Sequence, residues 1–457
     1  MSKSVLFFVF TLTIVAATTV FARNPIIQTH FTADPAPLVY DGRVYLFTTN
    51  DHDTASTFFR MSDWRVYSSA DMVNWTDHGS HMSQNTFSWG ESDAWAAQAI
   101  YRNGRFYKYV TLVPEGRCGR TIGVAVSDNP TGPFVDPIGE TLVPCTWDYI
   151  DPTVLIDDDG QAYLYFGNPD VHYILLNEDM ISYDKEIGVV EYPMTHKAFG
   201  KRLDYARRNT QYEEGPWLFE RNDIYYKLFA AGGIPEHLAY STSTSLSGPW
   251  VYQDTIMDVI QYRGAFTNHP GLINFKGKYF LFYHNAALPG GGGFTRSVCV
   301  EQFEFNPDGS IPLIKPTQRG IPRSLAPLNP YVRVEAETIA WSEGLKTAEQ
   351  DDVGVYVTKI NNGDHLMLRE VDFGDEGPST FRAIVASGTN GGSMEIRLGS
   401  TDGKMIGTTN IRNTGGSNSW TALTINVEKV TGVHDLYFVF RGGEGELFNF
   451  DWWVFRK

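Results

Sequence analysis

The feature that most constrains how this chain can fold is a pattern that returns five times at nearly constant spacing. A leading residue is followed eight or nine positions later by Gly or Asp in a turn, and then by an aromatic-rich strand. The leading residues are Asp34, Trp95, Asp151, Glu214 and His269, which stand 61, 56, 63 and 55 positions apart. Their second strands are Val44-Tyr45-Leu46-Phe47, Phe106-Tyr107, Ala162-Tyr163-Leu164-Tyr165, Ile224-Tyr225-Tyr226 and Tyr279-Phe280-Leu281-Phe282. Self-similarity at such a period marks a propeller or solenoid array, and each copy reads as a β-hairpin. Echoes such as Val66-Tyr67-Ser68-Ser69, Ala125-Val126-Ser127 and Tyr240-Ser241-Thr242 add further strands, about four to a unit. The prediction is an all-β chain whose residues 23–320 form a five-bladed β-propeller.

In a propeller the first strand of each blade lines the axis, so the leading residues should converge. Three carboxylates, a Trp and a His would then share one pocket, an arrangement that like-charge repulsion opposes unless chemistry or a cation compensates. Glu214 stands out. In Tyr212-Glu213-Glu214-Gly215-Pro216-Trp217 the Gly-Pro pair stops a helix and presents the acid from the start of a strand. An arbitrary pair of Glu residues is a solvated loop, but recurrence at the phase of the repeat argues against that reading here. Two carboxylates facing a sugar-sized pocket are the minimal equipment for glycoside hydrolysis. A third, by repulsion, raises the pKa of the proton donor. The aromatic content of 14% suits stacking on sugar faces, although most of these rings belong to the core.

The residues resemble glycoside hydrolase family 43, the arabinofuranosidase and β-xylosidase group. The resemblance covers about residues 24–320 and rests on Ala33-Asp34-Pro35-Ala36-Pro37, Ser69-Ala70-Asp71-Met72-Val73-Asn74-Trp75, Trp95-Ala96-Ala97-Gln98-Ala99, Asp151-Pro152-Thr153 and Glu214-Gly215-Pro216-Trp217. It implies Asp34 as general base, Glu214 as general acid and Asp151 as the group that tunes and orients Glu214, with inversion at the anomeric carbon. It also implies that Trp95 and Arg296 contact substrate and that His269 helps hold a central ion. An alternative role for Arg296 is a salt bridge to an axial acid. The activity implied is release of terminal α-L-arabinofuranosyl residues, with β-D-xylosyl as a second group, from arabinoxylan or its oligosaccharides, with no cofactor in the chemistry. A β-xylosidase proper, a fructosidase-type propeller and a non-catalytic carbohydrate-binding propeller are the alternatives. The Ala before Asp34 and the Gly after Glu214 argue against the fructosidase.

The remaining chain fits an exported enzyme. Met1-Ser2-Lys3-Ser4, an apolar run over 5–20 and Phe21-Ala22-Arg23 read as a signal peptide ending at Ala22. A formal charge of −16 leaves no basic stripe for nucleic acid, and no second apolar run reaches membrane length. Cys118 and Cys145 are candidates for a disulfide across neighbouring blades, Cys299 for a buried thiol, and Asn74-Trp75-Thr76 for a glycosylation site. Residues 51–62 read as a loop bringing His52, Phe58 and Phe59 to the pocket mouth, and 290–293 as a flexible glycine rim.

A proline-punctuated connector, 321–331, precedes a β-sandwich of jelly-roll type over 332–457. This region resembles a family 6 carbohydrate-binding module, and the resemblance implies a structural calcium on Glu335, Glu337 and Asp451. Where sugar-binding members carry aromatic residues, this chain has Lys359 and Ser417. Tyr356 and Trp420 are the nearest substitutes.

Overall fold

Alternating apolar residues and two-residue turns build five antiparallel sheets in succession between residues 31 and 303 of the computed structural model, which describes residues 23–202 and 208–457. The expected signal peptide, 1–22, lies outside the described residues. Setting aside the three-residue Gly90–Ser92 that also joins the second sheet, the first strands of the five sheets are β1 (Phe31–Tyr40), β2 (Ala97–Arg102), β3 (Thr153–Ile156), β4 (Tyr212–Arg221) and β5 (Gly271–Phe275). Each touches the next, and β5 touches β1, so the five close a ring. Four of the five first hairpins turn on Asp41-Gly42, Asn103-Gly104, Asn222-Asp223 and Lys276-Gly277, with positive φ at both central residues. That backbone matches the right-handed twist of the flanking strands, which is why Gly, Asn and Asp recur at the phase of the repeat.

The fifth sheet differs from the expected four strands. It has three, Gly271–Phe275, Lys278–Asn285 and Ser297–Phe303, and the N-terminal segment runs beside the last of them. The Ile26 amide donates to the Val298 carbonyl at 2.9 Å, and the Asn24 side chain bonds both backbone groups of Val300. Residues from before the first sheet thus satisfy an edge that would otherwise expose unpaired backbone. The stretch following the fifth sheet packs along the ring: Ile311 and Ile314 join its main apolar cluster, and the Thr317 amide donates to Glu301 at 2.7 Å.

Residues 334–456 form two further sheets, of six and five strands, around a separate apolar cluster containing Phe381, Phe438 and Trp453. Thr338–Ile339 leave them to pair with Trp75–Ser83, adding a strand to the first sheet. Beside this junction Asn74 bonds both backbone groups of Arg369, donating at 3.0 Å and accepting at 2.8 Å. Asn74 is only 3% exposed, so the expected glycosylation site is buried and spoken for.

Cys118 and Cys145 form a disulfide, and Cys299 is a buried free thiol. The disulfide does not join neighbouring sheets as expected. It links two adjacent lengths of the second sheet, where Val126 pairs with Val135 and Arg120 with Thr146. For a separation of 27 residues, chain entropy predicts that Cys118→Ser with Cys145→Ser destabilises the fold by about 3–4 kcal/mol. Chemical denaturation of the double variant against wild type measures this.

Candidate active site

The three axial acids sit where strand pairing is interrupted. Asp34 lies in the bulge between Ala33 and Ala36 of β1, with φ +50, and Asp151 stands just before β3 with φ +58. Glu214 falls between two register shifts of β4, and Gly215 after it has φ +61. Left-handed backbone is costly for Asp, and here it frees each carboxyl from the face of its sheet. All five leading residues, together with Arg296, line one cavity of about 260 Å³.

Asp34 is buried and accepts hydrogen bonds from Thr49 Oγ1 and Arg296 Nη1, both at 2.9 Å. Burial alone would raise its pKa, but Arg296 beside it, helped by His269 and His284, brings the carboxyl below its ordinary value. Glu214 moves the other way. Burial raises it, the 2.6 Å hydrogen bond from Asn168 Nδ2 pulls it partly back, and the charge on Asp34 pushes it up again. Asp151 accepts from the Gly215 amide at 3.0 Å, while its own amide donates to Thr111 Oγ1. It is raised well above its ordinary value, by burial first and by Glu214 second. Asp151 thus bears on Glu214 in two ways: it fixes the Glu214-Gly215 backbone through the Gly215 amide, and the two buried carboxyls raise each other, with Asp34 adding to the repulsion on Glu214. Glu213, on the other face of β4, is bound by Arg202 and Arg208.

Arg296 was expected to grip a sugar hydroxyl, and the geometry favours the salt-bridge alternative. Its Nε and Nη2 donate to Asp51 and its Nη1 to Asp34, all at 2.9 Å, with longer contacts from Nη1 to Thr267 and from Nη2 to Asp34. Five N–H groups meet these acceptors, so none is left over. Asp51, 1% exposed, ends a strand and does not open the expected loop. Asp51 and Asn168 carry no local motif, and sequence reasoning missed both. It also missed Glu236, a buried carboxylate that accepts from the Asn268 amide at 2.7 Å and so ties the fourth sheet to the approach of β5. The Asn268 side chain in turn accepts from the His269 and His284 amides.

His269 packs under Gly215, where an added Cβ would lie 3.1 Å from its ring. Burial holds it neutral, with a pKa of about 4, the form that ligates metals. Among the described residues, however, no convergent group of three ligating side chains includes it. The one such group is Asp158, Glu220 and Asp223, away from the cavity. Substituting Gly215 with Ala combines strained backbone with the clash on His269, so turnover should fall at least about tenfold, in line with small misplacements at a catalytic group, as steady-state kinetics would register.

Phe58 and Phe59 line the mouth beside Trp95, but His52 does not; its amide is bound to Arg60. Within the 290–293 stretch, expected as a flexible rim, two glycines are tightly placed: a Cβ at Gly293 would lie 2.1 Å from Phe266 and one at Gly291 2.4 Å from Ala286 O, while Gly290 and Gly292 have room for one. In the C-terminal region, Glu335, Glu337 and Asp451 do not form a convergent ligand group, and Arg333 bonds Glu335 at 2.7 Å. Yet Glu337 Oε2 and Asp451 Oδ1 are buried without hydrogen-bond partners, Arg333 Nη2 standing 3.8 Å from the latter, and burial raises Asp451 to about 6. Hard oxygens left unsatisfied in this way suit calcium. Tyr356 and Trp420 meet edge to face, with centroids 5.1 Å apart, instead of flanking an open slot, and Lys359 is paired with Glu446.

A sequence model described as glycosyl hydrolases family 43 matches residues 22–311, and one described as carbohydrate binding module (family 6) matches 335–457. The chain is 34% identical to an arabinoxylan arabinofuranohydrolase of Bacillus subtilis, over 95% of this chain and 92% of that protein. It is 33% identical to an arabinoxylan arabinofuranohydrolase of Paenibacillus polymyxa, over 94% and 74%. The crystal structure of a family 43 arabinoxylan arabinofuranohydrolase from Bacillus subtilis, in complex with cellotetraose, superposes with a TM-score of 0.81 at 31% identity, covering 96% of this chain and 100% of that one. A β-xylosidase/α-arabinofuranosidase from a compost metagenome, solved with xylotriose in a calcium-free form, gives 0.57 at 27% identity over 64% and 97%.

Proposed function

This chain belongs to glycosyl hydrolases family 43, and on that footing we propose that it is a secreted, inverting α-L-arabinofuranosidase acting on arabinoxylan or its oligosaccharides. The observation that carries the mechanism is the opposite displacement of two carboxyls in one cavity: Asp34 is held below its ordinary pKa and Glu214 above it. Asp34, ionised, takes a proton from water as the water attacks the anomeric carbon. Glu214, protonated, gives its proton to the departing glycosidic oxygen. Asp151 fixes the backbone of the acid, and Arg296 holds the base.

The match to two arabinoxylan arabinofuranohydrolases across nearly the whole chain supports arabinose over xylose as the sugar released. Matches to proteins named xylosidase/arabinosidase, which cover 62% of this chain in one from Bacteroides ovatus, keep β-xylosidase activity as the second reading. Five sheets whose first strands touch in a ring support the five-bladed propeller over 23–320, and the two sheets beyond it support a jelly-roll sandwich over 332–457. Secretion rests on the apolar run at the N-terminus.

Chromatography of the products tests the reading. Arabinose from arabinoxylan without xylose from xylobiose is expected, and proton NMR should show the β-anomer first. Xylose as the main product would overturn the assignment, and the α-anomer first would overturn inversion.

Glu337 and Asp451 are the residues that would hold a calcium ion, whose charge would satisfy their buried oxygens. Chelation should then lower the melting temperature of the C-terminal region while leaving arabinose release from a short oligosaccharide unchanged, as calorimetry and product assay would show together.

A further inference from the structure

The flank of the pocket carried by the second and third sheets holds an arginine that the mechanism does not use. Arg120 lies between two rings that line the cavity with it: its guanidinium carbon is 3.9 Å from the centroid of Trp95 and 5.3 Å from that of Trp147. The order runs outward, from Trp95 beside the axial acids to Trp147, which is 57% exposed. Stacking of this kind leaves the edge of the guanidinium free to donate.

The donors are only partly used. Nη2 pairs with Asp93 Oδ2 at 3.2 Å, Nε is buried without a partner, and Nη1 makes no hydrogen bond among the described residues. The side chain is only 15% exposed, and Nη1, unlike Nε, is not among its buried atoms, so this donor is open to an acceptor from outside. Arg296 is the contrast, since all its N–H groups are taken within the fold.

The segment bearing Arg120 is rigidly placed. Its amide and carbonyl exchange hydrogen bonds with Thr146 at 2.8 and 2.9 Å, and the Cys118–Cys145 disulfide closes the same two lengths of chain. Gly119 between them has φ +138, and a Cβ there would lie 2.5 Å from the Thr146 backbone. Two chain segments are thus drawn together so that one ends in Arg120 and the other in Trp147.

We propose that Arg120 is a substrate-contacting residue, donating from Nη1 to a pentose hydroxyl next to the scissile bond while Trp147 offers its exposed face to a neighbouring sugar ring. This rests on the pocket being a pentosidase site, as proposed above. The hydroxyl belongs either to the arabinosyl group or to the xylose that carries it.

The test measures binding by calorimetry in the acid-disabled Glu214→Gln protein, with and without Arg120→Met, using methyl α-L-arabinofuranoside, xylotriose and arabinosylated xylotriose. We expect Kd to rise about tenfold to a hundredfold when Arg120 is lost, as for a hydrogen bond from a charged donor. A rise for the simple arabinoside places the hydroxyl on the arabinosyl group, and a rise confined to the two xylose-containing ligands places it on the chain. Kd within twofold for all three would overturn the proposal. Arg120→Lys, which keeps the charge but on a single donor nitrogen, should recover part of the affinity. It serves as the reporter if Arg120→Met does not fold, and an unchanged Kd in Arg120→Lys would then overturn the proposal. Arabinose release by the protein with Glu214 intact is assayed in parallel, so that absence of turnover sinks the arabinofuranosidase reading while the binding comparison still reads Arg120.

Discussion

Glu214→Gln is expected to bind arabinosylated xylo-oligosaccharides about as tightly as the wild type and to lose about 10²- to 10⁴-fold in turnover, the usual contribution of a positioned general acid. Gln is isosteric and can still accept the hydrogen bond from Asn168 Nδ2, so the scaffold should stand. What disappears is the proton delivered to the departing oxygen. An aryl arabinofuranoside, whose leaving group needs little protonation, should therefore lose much less activity than the natural glycoside. The pH profile adds a second mark. With Asp34 lowered and Glu214 raised, kcat/KM for the wild type should rise as Asp34 ionises, below the ordinary carboxylate pKa, and fall as Glu214 ionises, above it. The variant should keep the acidic limb and lose the alkaline one. An alkaline limb that persists unchanged in Glu214→Gln would assign the acid elsewhere, Asp151 being another raised carboxyl that lines the cavity.

The sequence made legible what depends on local rules. Hairpin turns at Asn103-Gly104 or Lys276-Gly277 announce themselves because both central residues need positive φ. Once the repeat is counted, the convergence of Asp34, Trp95, Asp151, Glu214 and His269 follows from geometry alone, and the cavity contains all five. What stayed hidden depends on partners distant in the chain. Asp51 reads as one more acid in Asn50-Asp51-His52-Asp53, and nothing near it points to Arg296, 245 residues away. Arg296 itself fits a motif position, yet its role turns on whether its donors are already occupied, a property of packing and not of spacing. Asn74 fits a glycosylation pattern, and only the docking of the Arg369 backbone shows it to be buried. Likewise, the resemblance to a family 6 module groups Glu335 with Glu337 and Asp451 as calcium ligands, but Arg333 draws it into an ion pair.

The largest effect on stability should come from Arg296→Met. Asp51 has no exposed side-chain surface and Asp34 has 8%, and this one guanidinium serves both. Burial pushes Asp51 upward, and Arg296 opposes it with its charge and with one backbone and two side-chain hydrogen bonds. Removing the cation strands two buried charges, and breaking buried pairs of this kind costs about 3–5 kcal/mol. The sign with pH follows from which state binds the proton. In the wild type, Asp34 is depressed in the folded state, so its contribution is present above the ordinary carboxylate pKa and fades as pH falls through the folded value. In the variant, burial is opposed by the Thr49 hydroxyl on Asp34 and the residue-296 amide on Asp51 but no longer by the cation, and it raises both acids. The folded protein then prefers them protonated, and stability falls as pH rises from the ordinary value through the raised one. Urea unfolding should show the deficit of Arg296→Met to be larger at pH 8 than at pH 5. Asp51→Asn added to it should recover part of the loss, because a neutral amide needs no counter-ion, and the double variant should cost less than the sum of the two singles. A deficit below about 1 kcal/mol at both pH values, the scale of an exposed ion pair, would mean that water reaches these carboxylates. Asp34, the proposed base, would then owe its ionisation to solvent and not to Arg296.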